Sequence, residues 1–332
     1  MRIATVCSAH GFGHLTRQLV IADALVARGA EVTIYTAAPA LVPAAGEGAH
    51  RVVPWVADVG IVQRDSLTED VPETLARLEQ VASEARIDAL ARELAGYDRV
   101  VVDIAPPALE AARRAGVPAL AVGNFDWAWT YGHYPPLSGW SERFAAWQAP
   151  HPGLYLAPGP GLTGFASIAA FGVVGRRAAP ARVAARTVLV CFGGFGLDGV
   201  DGWLPRVDGV TWLLAPPMAP SPRLDVRWVD DVPFPALVAG ADALLTKPGY
   251  GIYAEAARAG TPIVWVDRGV FPEAPSLEAA LRARGDVKVV GRGAEAVAEA
   301  LAARWATVAR DGRPVPEESA AAEAVAARIL DG

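Results

Sequence analysis

The chain of 332 residues contains only two cysteines, Cys7 and Cys191. Two thiols this far apart make neither a disulfide framework nor a cysteine-based metal cluster. Lysine is equally scarce, with Lys247 and Lys288 set against 28 arginines. A GC-rich coding bias accounts for that imbalance and for the wealth of Ala, Gly and Pro, but it draws attention to the two lysines that remain. No apolar run approaches the ~20 residues needed to span a bilayer. Met1-Arg2 leads into I-A-T-V-C-S-A, too short for the apolar core of a signal peptide, so the expectation is a cytoplasmic chain without a transmembrane segment. Positive charge is not in excess either. With 30 Lys and Arg against 36 Asp and Glu, the net charge is −6, a poor match for nucleic acid or an anionic membrane as main partner. Neither G-X-Y nor heptad repeats occur, which excludes fibrous classes.

Half of the residues (52%) are hydrophobic and a fifth are charged. The length is that of two domains at ~150 residues each, with apolar material for two buried cores. Short apolar runs alternate with amphipathic helical patterns throughout. Residues 3–9 read as a buried strand, 15–28 as a helix closed by Gly29, and 31–36 as the next strand, a βαβ unit with its first turn at 9–14. Residues 72–94 then read as helical, 99–103 as a strand, 108–115 as a helix and 119–122 as a strand. The stretch 124–165 breaks this rhythm, with Trp127, Trp129, Trp140 and Trp147 among many Pro and Gly. A Gly/Arg/Ala/Pro-rich linker follows over about 172–186.

The second half restarts the same grammar. Strands are expected at 187–191, 210–214, 226–229, 243–246 and 262–266, a helix at 252–259, and helices over most of 274–330. Two halves that each open with a strand and a Gly-rich turn predict an α/β protein of two Rossmann-like domains, residues 1–172 and 173–332, facing each other across a cleft. The last helix, about 317–330, is a candidate to pack back on the first domain.

The first Gly-rich turn, H-G-F-G-H-L-T-R at 10–17, allows a tight strand-to-helix turn and close approach by a ligand at Gly11 and Gly13. It is not a dinucleotide fingerprint, because Thr16 stands where the third glycine belongs, and this disfavours a nicotinamide dehydrogenase. His10 and His14 bracket the turn. Imidazole is suited to general-base work near neutrality, though either ring can instead cap the helix or bond a carbonyl. Asp103 ends a strand in V-V-V-D-I-A-P-P, where it can orient an imidazole or cap the helix that follows. The second turn, Gly193-Gly194-Phe195-Gly196, suits phosphate binding or simple chain reversal.

T-K-P-G-Y-G-I-Y-A-E at 246–255 is the most informative segment. Gly249 and Gly251, with Tyr250 between them, open a helix whose N–H groups face a diphosphate, and Lys247 can neutralise phosphate charge. Glu255, about a turn further on, can accept from two ribose hydroxyls; the alternative is an acid placed against the helix dipole, worth ~0.3–1 kcal/mol. In N-F-D-W-A-W-T-Y at 124–131, Trp127 and Trp129 offer aromatic faces to an acceptor, or with Tyr131 line one face of a core strand. Asp126, between Phe125 and Trp127, is a further candidate acid or base.

Taken in order, H-G-F-G-H-L-T-R, D-I-A-P-P-A with G-N-F-D-W-A-W-T-Y, the F-G-G turn, and K-P-G-Y-G-I-Y-A-E with F-P-E-A-P resemble the GT-B glycosyltransferases. Most specifically they resemble the glycosyltransferase-like N-terminal domain of plant L-arabinokinase and its stand-alone bacterial relatives. No Gly/Ser-rich ATP loop is found, so sugar phosphorylation is not carried over. The wider likeness, which includes the lipid-intermediate GlcNAc transferase of peptidoglycan synthesis, implies a nucleotide-diphosphate-sugar donor, UDP first, and no metal or other cofactor. It implies that W-V-D-D-V, centred on Val229, meets the base, that Gly249, Tyr250 and Gly251 bind phosphate, and that Glu255 binds ribose. Phe271 to Glu273 then fall at the donor sugar, His14 is the base, and Asp103 supports it. The expected activity is inverting glycosyl transfer to an unidentified acceptor. A nucleotide-sugar epimerase or hydrolase and a catalytically silent nucleotide-sugar-binding module are the alternatives.

Overall fold

The structure, a computed structural model, describes residues 1–42, 50–65, 68–195, 199–269 and 271–332. Its contacts divide the chain into two compact units: 1–62, 69–174 and 319–332 form the first, and 63–68 with 175–318 form the second.

The first unit is built from β1 (Arg2–Cys7), α1 (Phe12–Val26), β2 (Glu31–Thr36) and β3 (Arg51–Pro54). The short strand β4 (Gln63–Asp65), whose residues count with the second unit, pairs with β5 (Thr68–Glu69) in a separate two-stranded sheet. Then come α2 (Val71–Val81), α3 (Glu84–Leu94), β6 (Arg99–Asp103), α4 (Pro106–Ala115), β7 (Ala119–Gly123), α5 (Trp127–Tyr131), α6 (Ser138–Gln148), β8 (Pro152–Leu156) and β9 (Ser167–Phe171). Seven strands form a parallel sheet in the order β3-β2-β1-β6-β7-β8-β9. β1 and β6 are apolar on both faces, as central parallel strands must be when helices cover the sheet above and below. One core gathers Ile3, Val101 and Val122 with Leu15, Ile21 and Leu25 of α1; the other gathers Ala4, Val100 and Val102 with Leu90, Leu94 and Leu109.

The second unit contains β10 (Thr187–Cys191), β11 (Thr211–Leu214), β12 (Val226–Trp228), α7 (Phe234–Gly240), β13 (Ala243–Thr246), α8 (Tyr250–Ala259), β14 (Ile263–Trp265), α9 (Ala274–Ala283), β15 (Val287–Lys288) and α10 (Ala294–Asp311). Its six parallel strands run β12-β11-β10-β13-β14-β15. Both sheets therefore reverse their winding beside their first strand, between β1 and β6 and between β10 and β13. Ligands of doubly wound sheets bind outside the strand ends at such a switch point. The final helix, α11 (Ala321–Asp331), packs on α1 in the first unit through Ala322, Val325, Ala326 and Ile329.

Two expectations are corrected. The helical stretch 72–94 is two helices, because Ser83 adopts an extended conformation and restarts the helix with Glu84 in its first turn. The Trp127–Tyr131 segment is a helix and not a core strand: Asp126 caps it by accepting from the Trp129 N–H at 2.7 Å. Among the described residues no helix is long and apolar enough to cross a membrane.

Candidate functional site

In the first unit β1 pairs with β6 so that Cys7 lies opposite Asp103. The turn after β1 and the Asp103 carboxylate thus emerge side by side at the switch point. His14 is the third residue of α1, and Arg17 and Gln18 follow at three and four residues, which puts all three on one helix face. That face converges on Asp103. His14 Nδ1 lies 2.6 Å from Oδ1, Arg17 donates from Nη2 to Oδ1 at 2.6 Å and from Nε to Oδ2 at 2.7 Å, and Gln18 Nε2 donates to Oδ2 at 2.9 Å. Burial raises the Asp103 carboxyl, but Arg17 and His14 outweigh it and hold it at about 2. It is a fixed negative charge at neutral pH.

The short bond to Asp103 places a proton on His14 Nδ1 and leaves Nε2 as the accepting nitrogen. Arg17 Nη2, 2.9 Å from the same Nδ1, is then a neighbouring donor and not a second hydrogen bond. Arg17 Nη1 also donates to Asn124 Oδ1, and the Asn124 amide is anchored on the Leu156 and Pro158 carbonyls at 2.6 and 2.9 Å. Neither bland role applies here. No side chain caps α1, and the N-cap of α4 is Ala105, not Asp103.

The backbone after Asp103 is strained. Ile104, β-branched, has φ +45, a region that side chains of its kind rarely enter. Its Cγ2 sits 2.2 Å from where a Cβ on Gly123 would be, so only glycine on the neighbouring strand leaves it room.

His10 is half-buried, its ring 6.2 Å from His14 and 5.1 Å from Trp127, edge to face in both cases. Gly11 caps α1, and the Gly13 carbonyl accepts from Thr16 at 3.2 Å. Asp126, expected as an acid or base, is spent structurally: Oδ1 caps α5 and Oδ2 accepts from the Thr163 N–H and hydroxyl at 2.6 and 2.9 Å. Trp127 is 1% exposed and donates its indole N–H to Asp58, so it offers no open aromatic platform. Trp129, half-buried, lies against His133 at 4.6 Å. The sequence reading named neither Arg17, Gln18 and Asn124 nor Asp58. Arg17 had a signal, since it stands three residues after His14 inside the first motif; Asp58 lies in an aperiodic stretch with no motif around it.

In the second unit β10 and β13 place Cys191 opposite Thr246, which brings the two Gly-rich turns together. The Lys247 side chain runs beside Gly193, 3.7 Å from where a Cβ there would be. Gly194 is half-buried, Phe195 ends a 3-10 turn, and Gly196 lies outside the described residues. Gly249 is the N-cap of α8, whose first residues are Tyr250 and Gly251. Glu255, the sixth residue of α8, lies beyond the first turn, which removes the reading as a dipole-favoured terminal acid. It is buried and accepts from Arg176 Nε on Oε1 at 2.5 Å, while Oε2 has no hydrogen-bond partner among the described residues. Burial raises its carboxyl, opposed by Arg176.

Val229 commits its backbone N–H to the Leu214 carbonyl at 2.8 Å. Glu273 is buried and bonded at 2.9 Å to Arg268, whose guanidinium lies over the Phe271 ring at 3.6 Å. Among the described residues no three His, Cys, Asp or Glu side chains are gathered as metal ligands.

No family model matches the chain. Its sequence is similar to L-arabinokinase of Arabidopsis thaliana, 30% identical over 300 aligned residues that cover 81% of this chain. The chain spans only 28% of the length of that protein. Among solved structures, spinosyn forosaminyltransferase SpnP matches with a TM-score of 0.68 at 17% identity, covering 100% of this chain and 98% of that one. A UGT transferase from Siraitia grosvenorii in complex with UDP matches at 0.60 and 14% identity, covering 99% of each chain. With two parallel sheets that share one winding order and full-length matches to these transferases, the chain has the GT-B glycosyltransferase fold.

Proposed function

We propose that this chain is a metal-independent, inverting glycosyltransferase that takes a nucleotide-diphosphate sugar, a UDP-sugar first, and transfers the sugar to an acceptor hydroxyl. The observation that carries this reading is the buried His14–Asp103 pair at 2.6 Å, which fixes the imidazole tautomer and leaves Nε2 to take a proton. The acceptor hydroxyl gives its proton to His14, and its oxygen attacks the anomeric carbon as the bond to the diphosphate breaks. Asp103, ionised by Arg17, supports the imidazolium.

The donor belongs to the second unit in this reading. The N–H groups at the start of α8, the 193–195 turn and Lys247 stabilise the leaving diphosphate. The partnerless Oε2 of Glu255 accepts from the ribose. The UDP bound to the Siraitia grosvenorii structure supports uridine as the first nucleotide to test. That the chain corresponds to 28% of L-arabinokinase favours a second reading, a nucleotide-sugar-binding module without turnover.

The deciding experiment is a calorimetric and thermal-shift titration with UDP, GDP, dTDP, CMP and ADP and their sugar conjugates, with and without Mg²⁺. Selective binding that is lost in Glu255→Ala supports the donor site, and no binding to any of them overturns it. Turnover lost in His14→Ala with donor binding intact supports the base. Binding without transfer or hydrolysis across an acceptor panel points to the silent module. Free sugar or an isomerised donor formed without acceptor points to a hydrolase or epimerase.

A further inference from the structure

Beside the fixed charge of Asp103 lies a second buried carboxylate. Asp58 belongs to the segment between β3 and β4, which has no regular structure, and it is 2% exposed. Its Oδ1 accepts from the Ala9 N–H at 2.8 Å and its Oδ2 from the Trp127 indole N–H at 2.8 Å, and the Ser8 hydroxyl also favours its ionised form. Two residues on, Gly60 has φ +62, and a Cβ there would fall 2.5 Å from His10 Cβ and 2.6 Å from its ring. The Gly60 carbonyl accepts from the Tyr131 hydroxyl at 2.7 Å. One short stretch of chain thus grips the turn after β1, the His10 ring and two aromatic residues of α5.

We propose that Asp58 is a positioning residue: its ionised carboxylate clamps the 57–61 segment, the Ser8–Ala9 turn and the Trp127 indole together, and thereby sets the His10 and Trp127 rings beside His14. The proposal rests on the role assigned above to His14. An ionised carboxylate only accepts, and it meets two donors at 2.8 Å here. Protonated, it carries a hydrogen that needs an acceptor. Neither the Ala9 N–H nor the Trp127 indole can supply one, so the bonds to them weaken.

The groups that face Asp58 define when this happens. On β1 and the turn after it are the Cys7 thiol, Ser8, the Ala9 N–H and His10; on α1 is His14; on α5 are Trp127 and Tyr131. Burial drives the Asp58 carboxyl up to about 6 against the pull of its donors and His14. The Cys7 thiol and the Tyr131 hydroxyl, both raised chiefly by burial, stay neutral in this range. The clamp is therefore closed at neutral pH and loosens through pH 6, where Asp103 is still fully charged.

The test is a titration of the full-length, ¹⁵N-labelled protein between about pH 5 and 8, following the Trp127 indole N–H resonance, which is assigned by its loss in Trp127→Phe. The expected result is a shift with a midpoint near 6 that disappears in Asp58→Asn and is retained, with its midpoint moved, in Asp58→Glu. With the productive donor and acceptor, Asp58→Asn is expected to lower kcat about tenfold at unchanged donor KM, because misplaced groups lose rate and not ground-state affinity. An indole resonance that stays still across the range overturns the proposal. So does an Asp58→Asn variant with the wild-type kcat. The wild-type titration needs no variant to fold and no turnover, so its failure is separate from a failure of the transferase reading.

Discussion

Asp103 shows how a residue that looks ambiguous alone is decided by its neighbours. Four donor groups from one face of α1 meet two carboxylate oxygens, and the carboxyl is held at about 2 against its ordinary value of 3.8. A depressed carboxyl stabilises the fold above its unfolded value, and that contribution fades as pH falls through the folded one. Here it is complete above about pH 4, is lost toward pH 2, and amounts to about 2 kcal/mol. Unfolding free energies measured between these limits should fall in the wild type and lack that slope in Asp103→Asn. At neutral pH the same variant leaves Arg17 buried without its carboxylate, at an expected cost of about 3–5 kcal/mol. The sequence showed His14 and Asp103 as candidates because motif and strand end can be read locally. It did not show Asp58 or Asn124, since their partners lie 32 to 107 residues away.

At the level of elements, strands and helices with clean periodicity were legible: β1, α1, β2, β6, β10 and β13 lie within a few residues of where apolar runs and Gly caps placed them. The Trp-rich stretch was not. Its alternation of aromatic residues mimics a strand, and only the cap made by Asp126 turns it into α5. Strands β8 and β9 were missed because prolines and glycines obscure their pattern. The β6–α4 junction makes a sharper prediction. Ile104, with its positive φ, directly follows Asp103, and its side chain occupies the space that a side chain on Gly123 would need. Gly123→Ala should force Ile104 to move, at about 1–3 kcal/mol in chemical denaturation. It should lower turnover while leaving nucleotide binding to the second unit unchanged. An alanine variant with wild-type stability would show that Ile104 can yield without cost.

At the scale of the molecule, local sequence grammar suffices for two Rossmann-like units, because each βαβ repeat is written within some 30 residues. The return of the last helix to the first domain was a candidate only, since nothing in the α11 pattern itself names its partner. The structure returns α11 to the first unit, where Val325 and Ile329 are fully buried against α1 and Arg99 donates to the Ile329 carbonyl. The first unit is thus closed by chain that is made after the whole of the second. Burial of Val325 and Ile329 contributes about 3–6 kcal/mol at ~1.5–3 kcal/mol each, a large share of the ~5–15 kcal/mol that holds a domain together. A chain ending at Glu318 should therefore lose protection in the first unit and keep it in the second. Hydrogen exchange resolved by peptide reads this directly: amides of β1, β2 and α1 should exchange as if from an unfolded segment, while those of β10, β13 and β14 should keep their full-length rates. Equal loss in both units would mean that α11 holds the whole chain together. No loss in either would mean that α1 covers its core unaided, and that the helix is an ornament on a domain already complete.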